Sequence, residues 1–443
     1  MKIIQSGEFD IYWKGESRQA DDVQTESAVK DIIAAVRAEG DAAVRRFASR
    51  FDKSSPQQFE VPLTVVQAAA DDLRRNDPEL TAALELSARH IMRFSMKQKE
   101  QFADFEYAMA PGLVTGQRVI PVERAAIYVP AGRFPLFSSV LMGLIPAFCA
   151  GVAEVALASP PMEDGLPNRN ILAAAGITLE VIAGGNTAAD NRLRVFAVGG
   201  AQAIAALALG TETVPRADII AGPGNKYVAA AKRILFGEVG IDFIAGPTDV
   251  LIIADNDAPQ PDLIAADMIA QAEHDPDARA RALVPNALLA EQIAAALEQR
   301  LAALPTAATA RASLDSGGLI IIYHNNEEAI RIANTIAPEH LELQVSDADA
   351  WIPCLKNYGS LFIGSLSAEV LGDYSAGINH TLPTSQSARF TGGLSVRHFL
   401  KTVTTLRCTP GEGFENSRRA AEVLANAEGL AGHAQSAAAR GCW

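Results

Sequence analysis

The chain has 443 residues, of which 49% are hydrophobic and 20% charged, with a formal net charge of −14. That length exceeds one ordinary domain, so roughly two to four units are expected. The acidic balance excludes nucleic acid and anionic membrane as principal partners.

Four cysteines, at 149, 354, 408 and 442, form no CxxC pair. They suit a reducing cytoplasm and offer neither a thiolate zinc site nor a disulfide framework. The stretch MKIIQSGEFDIYWKGES lacks the apolar core of a signal peptide. No run of about 18 apolar residues is present to span a membrane. The expectation is a soluble cytoplasmic protein.

Residues 1 to about 25 are mixed polar and aromatic, without periodicity. From Thr25 to Phe51 the apolar positions Val29, Ile32, Ile33, Val36, Ala43, Val44 and Phe47 fall at helical spacing, and residues 63–108 continue that pattern. From Val119 onward short apolar runs alternate with helical stretches. Strands are expected at Ala125–Val129, Val155–Ala158, Leu179–Ala183, Asp218–Ala221, Val250–Ala254, Arg281–Val284 and Leu319–Ile322. Helices are expected around 138–151, 168–175, 188–196, 200–209 and 225–236. Apolar strands separated by helices predict α/β architecture with parallel sheets covered on both faces. A second α/β run opens at Asp249, after Gly246-Pro247. The last stretch, Phe414 to Arg440, is Ala-rich, helical and poor in large apolar side chains, so it fits better docked on another surface than alone.

Four clusters carry possible chemistry. Gln271 and His274 close the helix that precedes Pro276, and their i,i+3 spacing puts them on one face. They could hold a metal, or serve as solvated capping groups. Glycine pairs at Gly132, Gly184-Gly185, Gly199-Gly200 and Gly222-Pro223-Gly224-Asn225 are either tight βα turns or a pyrophosphate crevice. The standard GxGxxG fingerprint is missing. Glu339-His340 offers two proton-handling groups near neutral pH, or is an exposed loop dipeptide. Glu369 to His380 sets acids and a histidine among Gly, Ser and Asn, as in a site loop. His90, His324 and His398 receive no role, and His433 alone reads as a surface residue.

Together these segments resemble the histidinol dehydrogenase family. The match rests on GGAQAIAALALGTETVPRADIIAGPGNKYVAAAKR (199–233), GIDFIAGPTDVLIIAD (240–255), QAEHDPDA (271–278), APEHLEL (337–343), GDYSAGINHTLPT (372–384) and EGLAGHAQSA (428–437). The resemblance implies a zinc-requiring, NAD-dependent dehydrogenase that oxidises L-histidinol through an aldehyde to L-histidine. It implies Gln271, His274, Asp373 and His433 as zinc ligands, His340 as the base for the alcohol proton, and Glu339 as the carboxylate activating water. Substrate contacts would be Thr248, Glu369, His380 and Glu428, together with His340 and the zinc ligands. NAD contacts would be Tyr128, Gln202 and Asn225. The implied fold is two incomplete Rossmann-like domains with small terminal segments. These are 1–27, then 28–127 with 248–388 on the zinc and substrate side, 128–247 on the NAD side, and 389–443. The last segment would be swapped in a homodimer, so that Glu428 and His433 enter the partner's site.

Some positions depart from the biosynthetic pattern. Thr248 stands where Ser is usual, Asp249 where Glu is usual, and Arg133 where a small or polar residue is usual. The 388–402 stretch resembles paralogues acting on other alcohols, such as 2,3-dihydroxypropane-1-sulfonate, and Arg133 would suit an anionic substrate, NAD phosphate, or a surface turn.

Overall fold

The computed structural model describes residues 1–15, 23–131, 135–184, 192–257 and 260–441. Two six-stranded sheets organise them. The first runs in the order Lys2–Gln5, Leu319–Ile322, Arg279–Val284, Asp249–Ala254, His340–Gln344 and Ser360–Ile363, and all its pairings are parallel. The second runs Glu60–Val61, Leu193–Ala197, Glu154–Ser159, Arg124–Tyr128, Ile219–Ala221 and Gly240–Ile241. Only its Glu60–Val61 edge is antiparallel. A third, antiparallel sheet joins Leu400–Cys408 to Leu113–Pro121 and Phe105–Ala110. The protein is therefore mixed α/β with parallel sheets.

Apart from His340–Gln344, whose His340, Glu342 and Gln344 share one polar face, the central strands are apolar on both faces and read as continuous hydrophobic runs. Val250, Ile252 and Ala254 pack under the Pro261–Ala272 helix through Ile264, Ala265 and Met268. Leu251, Ile253, Leu341 and Leu343 turn to the other face, against Ile332, Ile336 and Trp351. Among the described residues no helix is long and apolar enough to cross a membrane.

Several expectations need correction. Leu179–Ala183 is not a strand; residues 179–182 end the Arg169–Ile182 helix. A short apolar run does not distinguish the two by periodicity. The helix expected around 188–196 is contradicted where described, because Leu193–Ala197 is a strand. The first 25 residues contribute the edge strand Lys2–Gln5 and the Phe9–Gly15 helix. Within residues 28–127, grouped by expectation with 248–388, the helices Val23–Glu39, Leu63–Asn76 and Pro78–Lys99 pack on the second sheet. Val29, Ile32 and Val36 meet Ala126, Tyr128 and Phe196, and Val66, Leu84 and Ile91 meet Ile127 and Leu157. The Ala-rich tail is two helices, Glu412–Ala427 and Ala431–Ala438. Arg133, Gly185, Cys442 and Trp443 lie outside the described residues.

Candidate active site

The Asp249–Ala254 and His340–Gln344 strands are paired in register, Val250 opposite His340. The residues just before them, Thr248 and Glu339, therefore meet at the amino-terminal edge of the first sheet. Glu339 Oε2 accepts from Thr248 Oγ1 at 2.5 Å and from the Asp249 N–H at 3.2 Å. Asp249 returns the contact, accepting the Glu339 N–H at 3.1 Å. Asp249 also lies 3.5 Å from Arg281 in a buried ion pair. Glu339 and His340 are 5% and 3% exposed, so the loop-dipeptide alternative falls: the pair is a buried strand end.

His340 is oriented by its backbone neighbour. Nδ1 donates to the Asp249 carbonyl at 3.2 Å, which leaves the Nε2 lone pair as the basic end of the neutral ring. Nε2 stands 3.6 Å from Asp373 Oδ1, too far for a hydrogen bond, and has no other partner. Glu369 Oε2 lies 3.7 Å from Nδ1. Burial opposes the imidazolium, but Glu369, Glu339 and Asp373 together carry His340 well above its ordinary value. Burial would also raise Asp373, yet His340 overrides it and holds that carboxyl below the usual range. Glu339 is pushed up to about 7 by burial, against the pull of His340 and the Thr248 hydroxyl.

Gln271 ends the Pro261–Ala272 helix and is 1% exposed. One amide atom is 2.7 Å from Thr248 Oγ1, and the other sits 3.0 and 3.1 Å from the Glu369 oxygens. With its NH2 turned toward Glu369, Gln271 donates to both carboxylate oxygens, and its carbonyl shares the Thr248 hydroxyl with Glu339. Burial pushes the Glu369 carboxyl well above the usual range, against the pull of His340. His274 is exposed at the mouth of the site, and its charge helps to lower Asp373.

His380 comes from the loop after the Glu369–Tyr374 helix. Its Nδ1 meets the Asp373 carbonyl at 2.9 Å and its Nε2 meets Ser139 Oγ at 3.1 Å. Ser139 opens the Ser138–Ala150 helix of the second sheet, so this contact joins the two sheets at the site. Asn379 Nδ2 adds a bond to the Met142 carbonyl at 2.8 Å.

The residues expected to meet NAD sit at the carboxyl ends of strands in the second sheet, where open α/β sheets bind ligands. Tyr128 is buried, and its hydroxyl accepts from the Gly200 N–H at 3.0 Å. Gln202 lies in the first turn of the Gly200–Leu209 helix and reaches Asp52 Oδ2 at 3.4 Å. Asn225 caps the Lys226–Leu235 helix, accepting from the Tyr227 and Val228 N–H groups. Gly222 takes φ +114°, and its N–H donates to Asp242 at 2.8 Å. Lys232, buried with Asp242, donates to the Gly222 carbonyl at 2.9 Å.

Glu428 and His433 are exposed on the tail and join none of these contacts. Among the described residues of one chain, no three His, Cys, Asp or Glu side chains are grouped to hold a metal ion. Ser139, Asp52, Asp242 and Lys232 were not legible from sequence. Each acts through a contact across 10 or more residues, and although Lys232 and Asp242 lie in segments that carry the resemblance, nothing local pairs them.

The histidinol dehydrogenase family model matches residues 16–441. The chain belongs to that family. It is therefore an enzyme, an NAD-dependent oxidoreductase of the histidinol dehydrogenase type. It is 46% identical over 415 residues to the histidinol dehydrogenase of Thermus thermophilus, covering 94% of each chain. It is 44% identical over 412 residues to that of Pseudomonas syringae, covering 92% of this chain and 88% of the relative. The crystal structure of histidinol dehydrogenase from Elizabethkingia anophelis superposes with a TM-score of 0.89 at 33% identity, covering 99% and 97%.

Proposed function

We propose that the protein oxidises L-histidinol to L-histidine in two NAD-dependent steps, within histidine biosynthesis, using a zinc site completed by a second copy of the chain. The observation carrying this reading is the meeting of Thr248, Gln271, Glu339, His340, Glu369, Asp373 and His380 at one edge of the first sheet. High identity to curated histidinol dehydrogenases supports the choice of substrate.

A divalent cation fits the residues present. Asp373 is kept ionised, the orphaned His340 Nε2 faces it, Gln271 approaches from the neighbouring helix, and His274 lies two residues beyond that helix's end. Gln271, His274 and Asp373 would hold zinc with His433 of a second copy, a nitrogen and oxygen set that suits that metal. When bound, the metal supplies an anchor for substrate nitrogen atoms. The exposed positions of Glu428 and His433, and the exposed Val423, Leu424 and Leu430 of the tail, support a swapped C-terminal segment. On this reading the two parallel sheets are incomplete Rossmann-like units.

In the first step the neutral form of His340, which gains population as pH rises toward its raised pKa, takes the hydroxyl proton at Nε2 as the carbinol carbon gives hydride to NAD, leaving the aldehyde. The Asp249 carbonyl keeps the ring in the tautomer that this requires. In the second step ionised Glu339 takes a proton from water as its oxygen attacks the aldehyde. The resulting hydrate anion loses hydride to a second NAD to give the carboxylic acid, which releases its proton and becomes the carboxylate. Tyr128, Gln202 and Asn225 would place the nicotinamide nucleotide from the second sheet.

The test is NAD reduction by the zinc-loaded protein with L-histidinol, with two NADH expected per histidine formed. Absence of turnover with histidinol, together with clear turnover of 2,3-dihydroxypropane-1-sulfonate, would overturn the substrate.

A further inference from the structure

The Glu369–Tyr374 helix carries both Glu369 and Asp373, yet it has six residues, and Ala368 at its N-cap provides no side-chain cap. A helix of that length does not hold itself. Its first N–H, that of Glu369, donates instead to Glu342 Oε1 at 3.0 Å. Glu342 is 1% exposed. It stands two residues beyond His340 on the same face of the His340–Gln344 strand.

The other Glu342 oxygen accepts from Gln344 Nε2 at 2.9 Å, and that same Nε2 donates to Asp267 Oδ2 at 3.1 Å. Asp267 lies one turn before Gln271 on the Pro261–Ala272 helix. Among the described residues neither carboxylate has a salt bridge to a cation. One amide nitrogen thus holds both buried carboxyls, and two such neighbours with no cation between them do not both ionise, so the pair retains a proton. Burial raises both, carrying Glu342 up to about 8.

We infer that Glu342 and Asp267 form a proton-sharing pair that positions the metal site. Glu342 caps the helix bearing Asp373, and Asp267 ties that cap to the helix that bears Gln271 and leads to His274. Glu342 is thus a positioning residue, which touches neither substrate nor metal. This inference rests on the zinc reading above.

The experiment measures zinc affinity by chelator competition in the full-length wild type and in Glu342→Gln, Asp267→Asn and Glu342→Asp. Asp267→Asn replaces one acid with a neutral group that still accepts from Gln344 and donates toward Glu342, as the shared proton does. Glu342→Gln must turn an NH2 group toward the N–H of Glu369 or of Gln344, so it loses one of these contacts. Glu342→Asp keeps the acid and shortens the reach by one methylene. Asp267→Asn should stay within about threefold of wild type, and Glu342→Gln and Glu342→Asp should bind zinc about 10–100-fold more weakly. Loss in Asp267→Asn, or wild-type affinity in both Glu342 variants, overturns the inference. A wild type that binds no zinc overturns the metal reading itself, and the inference with it.

Discussion

Thr248→Val removes one hydroxyl while keeping the shape of the side chain. That hydroxyl donates to Glu339 Oε2 at 2.5 Å, and the remaining bond to this oxygen, from the Asp249 N–H, is longer at 3.2 Å. A hydrogen bond to a charged group contributes about 1.5–3 kcal/mol. Each 1.36 kcal/mol moves a pKa by about one unit. Losing the hydroxyl destabilises only the ionised carboxylate, so Glu339 should rise from about 7 to about 8–9. In the mechanism proposed above, ionised Glu339 is the form that accepts the proton from water. At pH 8 its share should fall from roughly nine-tenths to between one-half and one-tenth. The acid limb of the second oxidation should therefore move to higher pH by about 1–2 units, and aldehyde should accumulate near neutrality. The assay is NADH formation from the aldehyde across pH 6–10, with Thr248→Ser as a control whose limb stays in place. A Thr248→Val limb that coincides with wild type, at normal zinc content, would refute the argument that Thr248 sets the base.

Two further outcomes follow from the geometry. His340→Ala and His433→Ala should each be inactive alone. After subunit exchange, a mixture of the two should recover activity at about a quarter of its sites, because half of the dimers then carry one intact pair; no recovery would exclude a shared site. Gly222→Ala places a methyl against the Tyr128 carbonyl at φ +114°. It should raise the KM for NAD and weaken folding by about 1–3 kcal/mol in urea titration; an unchanged KM would remove this turn from the nucleotide site.

Legibility in the sequence followed chemistry more closely than it followed strands. The Asp249–Ala254 strand, the Pro261–Ala272 helix and the Gly200–Leu209 helix were readable because their apolar patterns are unbroken. His340–Gln344 was not, since HLELQ alternates polar and apolar residues as a half-exposed strand does, while all five are buried. Its polar face looks onto other polar side chains supplied by distant segments, and no local pattern reports that. Gln271 with His274 was a weak signal by spacing and gained meaning only from motifs about 100 residues away. The packing of residues 28–127 was misplaced for a related reason. Amphipathic helices show that they have a buried face, but not which sheet receives it.

The alternation in His340–Gln344 has a consequence for how the chain reaches its working form. Leu341 and Leu343 fill one core, while His340, Glu342 and Gln344 face the reacting side. A slip of one residue against Val250 and Ser360 would drive the leucines into the polar cleft and the charged groups into apolar packing. A misregistered chain would thus be unstable as well as inactive. The register that buries the two leucines is therefore the same one that sets the proposed catalytic groups in place.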